Sequence, residues 1–175
     1  MSNVIRYKSL DSTNDEAKRL ISSDNPPEWT IIVADSQTKG RGKPGAGWYS
    51  PAEVGLYLSI IIKPDKAPQD LIPVTKKVAE AVVVTLATLA TLATPATIKL
   101  PNDVLISGKK VCGILLERVV SGHLIIGIGL NVNNQPGSFP AELKDSATSL
   151  SIEASQIFDR EEVLQEMLRQ VKIVL

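Results

Sequence analysis

Cysteine and histidine occur once each in this 175-residue chain. Cys112 has no second thiol to pair with, so no internal disulfide constrains the fold or the compartment. Together with His123 it falls short of the four ligands of a structural zinc site. Charge excess is missing too: 19 basic residues face 19 acidic ones. That balance argues against a chain built to coat nucleic acid or a membrane surface, which needs net positive charge. No uninterrupted apolar run is long enough to span a bilayer, since Val78–Ala93 is broken by Glu80 and by threonines. The start, MSNVIRYKSL, has no apolar stretch of signal-peptide length. These absences predict an intracellular, soluble, cytoplasmic protein with no membrane or nucleic-acid partner.

What is present suits one ordinary domain with a real core, given the length and a hydrophobic fraction of 43%. Val4–Leu10 reads as a strand. A helix follows from Asp11-Ser12-Thr13-Asn14, with Thr13 and Glu16 at capping-box spacing and Ala17, Leu20 and Ile21 as its apolar stripe. Trp29–Asp35 and Gly55–Lys63 read as strands, the second stopped by Pro64. Residues Gln69–Thr94 read as one helix ended by Pro95. The TLATLATLAT repeat inside it has a period of three, so its leucines spiral around a helix of 3.6 residues per turn. From Thr97, short apolar runs separated by Ser107-Gly108 and Ser121-Gly122 turns predict an antiparallel meander. A Pro/Gly-rich loop over Gln135–Pro140 leads through ATSL to an amphipathic helix, Asp159–Val171. The order predicts an α+β domain, helices packed on a mixed, largely antiparallel sheet.

The chemistry-bearing segment is QTKGRGKPGAGWYSP, Gln37–Pro51. Its glycines permit close backbone approach, and Lys39, Arg41 and Lys43 favour an anion. Gly40, Gly42 and Gly45 match G-x-G-x-x-G, but the dinucleotide fingerprint must open a helix and AGWYSP does not. A P-loop is excluded because no Lys-Ser/Thr follows a glycine at the required spacing. Trp48 beside the basic glycines suits stacking on a flat ring. Lys99 stands before a Pro101-Asn102-Asp103 turn, a place for a surface lysine or for a ligand contact. Gly127 and Gly129, at i and i+2 of a strand, clear one face for another backbone or for a flat ligand. Ser12-Thr13-Asn14 reads on its own as a helix cap.

In order along the chain, STN, ADSQTKGRGKPGAGWYSP, GLYLSI, KLPNDV, KKVCGILLE, GIGLNVN and ATSL resemble the catalytic domain of biotin protein ligases, over about Tyr7–Leu150. The resemblance implies a class II synthetase-like biotin/lipoate ligase fold. It implies ATP-dependent activation of biotin to biotinyl-5'-AMP, then transfer to a lysine of a biotin carboxyl carrier protein. Lys99, Arg41 and Lys43 would be catalytic. Ser12, Thr13, Asn14, Gln37, Gly40, Arg41, Lys99, Gly113 and Ile114 would bind biotin, with apolar walls from Leu56, Leu58 and the KKVCGILLE strand. Arg41, Gly42, Lys43, Trp48, Lys99, Asn102, Asn131 and Ser149 would bind the nucleotide. Magnesium would accompany ATP, held through phosphates and water, with no cage of protein ligands.

The resemblance further implies one catalytic domain over residues 1–175, without the N-terminal helix-turn-helix of some members or the small C-terminal β domain of most. Homodimers are frequent in the family. This chain departs from the family loop G-R-G-R-x-G-R: Ala46 replaces the third basic residue, Lys43 replaces arginine, and Pro44 and Gly47 are unusual neighbours. Leu100 stands where tryptophan is common. One cation fewer predicts weaker phosphate neutralisation and easier loss of the adenylate. The alternatives are a lipoate or octanoate ligase, and a non-catalytic biotin- or adenylate-binding module.

Overall fold

A computed structural model of the chain describes residues 3–43, 45–65 and 68–175; Pro44 lies outside them. The elements in order are β1 (Asn3–Leu10), α1 (Thr13–Asp24), β2 (Thr30–Gln37), β3 (Gly55–Ile62), α2 (Ile72–Leu89), β4 (Thr97–Lys99), β5 (Asp103–Ile106), β6 (Lys109–Arg118), β7 (Leu124–Asn131), α3 (Leu150–Ala154) and α4 (Arg160–Val174). The strands form a seven-stranded sheet in the order β1-β2-β3-β7-β6-β5-β4. β1 runs parallel to β2, while β2/β3, β4/β5 and β5/β6 are antiparallel. The mixed, largely antiparallel sheet expected from the sequence is therefore present. The chain divides into two compact units, residues 1–71 with 114–129, and residues 72–113 with 130–175.

In the first unit, the crossover from β1 to a parallel β2 is supplied by α1. Its buried Ala17 joins Ile32, Ile61 and Ile125, and Tyr7, Leu10, Leu20, Ile21 and Val119 pack around them. β3 lacks any polar alternation because every one of its residues is buried, so both faces are covered. The expected capping box does not form. Ser12, not Thr13, is the N-cap, which makes Asp15 the third helical residue. The Glu16 carboxylate instead accepts from Tyr7 Oη and Arg19 Nε, each at 2.7 Å. β2 begins at Thr30, since Trp29 has a φ of 62° that no strand residue adopts.

In the second unit, α2 packs on α4. It buries Val78, Val82, Thr85 and Leu86 against an α4 face of Val163, Leu164, Met167, Leu168 and Val171. Thr85 Oγ1 donates to the Ala81 carbonyl at 2.8 Å and so remains satisfied in the core. α2 is shorter than the expected Gln69–Thr94. It stops at Leu89, because the period-three repeat drifts off the buried face and Thr91, Ala93 and Thr94 are exposed, with no burial to offset the cost of ordering. Asp159 caps α4, its carboxylate accepting from Glu161 N. Within ATSL, Ser149 caps the short α3, its hydroxyl oxygen accepting from Ile152 N. Cys112 is fully buried, and burial pushes its thiol up, which makes it an inert packing group.

The repeat thus places chemically identical leucines in different environments. Leu86→Ala, at a fully buried position, is expected to cost about 2–5 kcal/mol in denaturant unfolding. Leu92→Ala, beyond the helix and half-buried, is expected to cost about 1 kcal/mol or less. Equal losses would show that the repeat is helical throughout.

Candidate active site

The glycine loop follows β2 and is itself a small hairpin. Arg41 pairs with Gly47 in an antiparallel bridge. Trp48 N donates to Gly40 O at 2.8 Å, Gly42 N to Ala46 O at 2.9 Å, and Ala46 N to Lys43 O at 2.8 Å. No helix follows Gly45, which turns with a φ of 84°, so the dinucleotide reading is excluded by geometry. The loop's entrance is tied to the end of β1, with Thr38 N donating to Leu10 O and Lys39 N to Asp11 O. Lys39 and Lys43 are exposed.

Gln37, at the end of β2, orients the start of α1. Its Oε1 accepts from Thr13 N at 2.8 Å and from Thr13 Oγ1 at 3.2 Å. Its Nε2 donates to Ser50 Oγ at 2.8 Å, which in turn donates to Trp48 O at 3.1 Å. Ser12, Thr13, Gln37, Gly40, Trp48 and Ser50 are thereby gathered into one polar patch, with Ser12, Thr13 and Ser50 buried. Both amide atoms of Asn14 are engaged within the protein. Oδ1 accepts from Ser59 Oγ at 2.6 Å, and Nδ2 donates to Glu117 Oε2 at 2.9 Å and to Leu115 O at 3.4 Å.

The two glycines of β7 now have their explanation. A Cβ on Gly127 would stand 2.3 Å from Asn14 Oδ1, and one on Gly129 would stand 2.4 Å from Trp48 Nε1. Both distances are far inside contact, so these side chains lie directly on the β7 backbone.

Arg41 is the most heavily engaged of the expected anion-binding residues. Its guanidinium forks onto Glu117, with Nη1 to Oε2 at 3.0 Å and Nη2 to Oε1 at 2.7 Å, and Nη1 also reaches Asp15 Oδ1 at 2.5 Å. Lys18 Nζ lies 2.8 Å from Glu117 Oε1 and 3.5 Å from Asp15 Oδ1. The Glu117 hydrogen bonds push the Arg41 guanidinium up, against burial. Burial pushes the Glu117 carboxyl up, but bonds from Lys18, Asn14 and Arg41 outweigh it and hold the group below its ordinary value of 4.5. Neither Asp15 nor Glu117 stood out as a site residue in the sequence. The available signals were an acid at the third helical position and a charged residue closing an apolar strand.

The second unit carries the remaining expected residues. Lys99, exposed at the end of β4, stands opposite Asp103, which stands opposite Gly113 of β6. A row of three strands thus aligns Lys99, Asp103 and Gly113. Asp103 Oδ1 is 2.7 Å from Lys110 Nζ, and Asn102 is buried, as is Ile114 of the first unit. Asn131 Nδ2 donates to Thr148 O at 2.9 Å, and Ser149 Oγ donates to Asn134 O at 2.7 Å. The Asn134 side chain is fully buried, with no hydrogen-bond partner for either amide atom among the described residues. Among those residues no three His, Cys, Asp or Glu side chains are placed to hold a metal.

A mixed seven-stranded sheet with helices, a basic glycine hairpin on the first unit and Lys99 ahead of Pro101-Asn102-Asp103 on the second together define an α+β domain. Residues 7–133 match the biotin/lipoate A/B protein ligase family, and the chain belongs to that family. It is similar to the bifunctional ligase/repressor BirA of Bacillus subtilis, 45% identical over 171 residues, which cover 94% of this chain and 51% of that protein. It is 31% identical over 163 residues to the biotin--[acetyl-CoA-carboxylase] ligase of Mycobacterium tuberculosis, covering 92% of this chain and 59% of that one. The fold matches biotin protein ligase from Aquifex aeolicus in complex with biotin and ATP, with a TM-score of 0.85 and 36% identity, over 99% of this chain and 70% of that one. The chain therefore spans little more than half the length of the curated relatives it matches.

Two outcomes follow from this geometry. Gly129→Ala is expected to push the indole off β7, seen in a Trp29→Phe background as a red-shifted, more quenchable Trp48 emission; unchanged emission would remove Trp48 from that strand. A carboxylate held below its ordinary value contributes stability that is complete above that value and lost as pH falls through the native one. Wild type and Glu117→Gln are therefore expected to differ most in thermal unfolding above pH 4.5 and to converge below it.

Proposed function

We propose that this chain activates biotin with ATP and transfers it to a lysine of a biotin carboxyl carrier protein. The observation that carries the reading is the match to a ligase holding biotin and ATP, over nearly all of this chain. The polar patch supports it from the side of the chemistry. Biotin's ureido ring presents donors and acceptors that cost about 1–3 kcal/mol each if buried unpaired, and Ser12, Thr13 and Gln37 offer hydroxyl and amide partners. Gly113 and Ile114, with Leu56 and Leu58, supply the apolar contacts.

In the first step a biotin carboxylate oxygen attacks the α-phosphorus of ATP. The bond to the β-phosphate oxygen breaks and pyrophosphate leaves with the electron pair. Two anions must approach, so cations lower the barrier by neutralising charge where it develops. Lys99 bridges carboxylate and α-phosphate in this reading, while Lys43 and the hairpin amides face the phosphates. Trp48, Gly42, Asn102, Asn131 and Ser149 hold the nucleotide. Magnesium would be held by phosphate oxygens and water and would supply further neutralisation. In the second step the acceptor lysine amine attacks the anhydride carbonyl, AMP leaves and the nitrogen loses a proton. This reading places the protein in the cytoplasm with its carrier. Homodimerisation belongs to the same reading, and light scattering of the purified chain with and without biotin and ATP tests it.

The test is pyrophosphate release by this chain with biotin and ATP, with and without a biotin carrier domain. Release dependent on biotin and stimulated by carrier is expected. Lys99→Ala should lower kcat by about 100- to 1000-fold, the size of losing one charge-stabilising donor. Release with lipoate or octanoate instead of biotin would move the protein to the other branch of its family. Biotin binding without release would make it a binding module.

A further inference from the structure

We propose that Asp15 and Glu117 are positioning residues that clasp Arg41 and so hold the Gly40–Trp48 hairpin in the shape that retains the activated intermediate. The retention half of this statement rests on the reading above; the clasp does not.

Arg41 has its fork on Glu117 and a further bond to Asp15. Two cations, Arg41 and Lys18, meet two carboxylates, so the cluster is formally neutral. A guanidinium so engaged offers little net charge to a phosphate. It offers instead a planar, bidentate anchor, which lysine could not provide in its place. The anion-facing charge of the loop then falls to the exposed Lys39 and Lys43.

The anchor is rigid on the protein side. Glu117 lies near the end of β6 and accepts from Asn14 Nδ2, and Asn14 in turn accepts from the buried Ser59 on β3. Asp15 belongs to the first turn of α1. On the loop side, Arg41 sits in the bridge to Gly47, between the two backbone bonds that close the hairpin, Trp48 N to Gly40 O and Gly42 N to Ala46 O. A restraint at Arg41 is therefore transmitted to the whole hairpin. Lys18 stays against both half-buried carboxylates when Arg41 is removed, so losing the clasp releases the loop and leaves one uncompensated negative charge in partial contact with water.

Hydrogen–deuterium exchange on the ligand-free chain tests the clasp without any activity. Glu117→Gln keeps the shape and removes the charge. It is expected to speed exchange at the Gly42 and Trp48 amides by about tenfold, the size of a hydrogen bond to a charged group, and to leave Ile31 and Ile32 of β2 unchanged. Arg41→Gly should do the same, and the double variant should do no more than either. Unchanged loop exchange, or effects that multiply in the double variant, would overturn the clasp. A second arm measures carrier-free pyrophosphate release with biotin and ATP. Glu117→Gln should convert a burst into continuous release, with no further increase in an Arg41→Gly background. Faster exchange with a burst preserved would overturn the retention role. A wild-type chain that releases nothing would instead remove the proposed function, while the exchange arm still decides the clasp.

Discussion

The carboxamide of Asn14 is the joint on which the first unit depends. It accepts from Ser59 on β3, donates to the Leu115 carbonyl and the Glu117 carboxylate on β6, and lies against Gly127 of β7. A buried amide must satisfy both ends, since leaving a buried donor or acceptor unmet costs about 1–3 kcal/mol. Here the partners come from two strands, so satisfying the amide fixes where α1 begins relative to them. The start of α1 in turn carries Thr13 to Gln37 and Asp15 to Arg41. Polar satisfaction at one residue thereby sets the position of the glycine hairpin's anchor.

Most of the fold was legible in the sequence, because strands and helices here announce themselves by local pattern and punctuation. Pro64 and Pro95, the Ser107-Gly108 and Ser121-Gly122 turns, and the stripe Ala17-Leu20-Ile21 lie where the chain changes direction or packs. The errors fell where a pattern competes with tertiary context. The TLAT repeat has good helix formers to Thr94, but only Leu86 among its leucines reaches full burial, and helix length follows burial more than propensity. Thr13 and Glu16 have capping-box spacing, yet the cap moved one residue back to Ser12 and Glu16 turned to Tyr7 and Arg19.

The candidate site was legible as a set of residue types but not as a network. Arg41 and Trp48 could be picked out because a basic residue among glycines and an indole beside them are locally unusual. Their partners could not: Glu117 follows Arg41 by 76 residues, and Gly129 is still more remote from Trp48 along the chain. Carboxylates at a strand end and in a helix's first turn are the commonest of surface features. Only the three-dimensional convergence of Lys18, Asp15, Arg41 and Glu117 distinguishes them. The same holds for Asp103, which reads as a turn residue in PND but stands in register between Lys99 and Gly113.

A chain with no net charge can attract a polyphosphate only through local arrangement, and the hairpin shows how its cations divide. Arg41, the one able to make a bidentate fork, is turned inward onto two carboxylates, and two lysines remain exposed on the loop. The division follows from side-chain chemistry. A planar guanidinium loses less on desolvation and gains directionality, so it suits a half-buried anchor; an ammonium is strongly hydrated and makes an adaptable point charge at the surface. Anchoring through a neutral cluster also leaves the field at the loop's outer face to the lysines alone, since the paired charges largely cancel at a distance. Ala46, exposed on the same loop, adds no charge to this outward-facing set, so the anchor and the outward-facing charge rest on different residues in this chain.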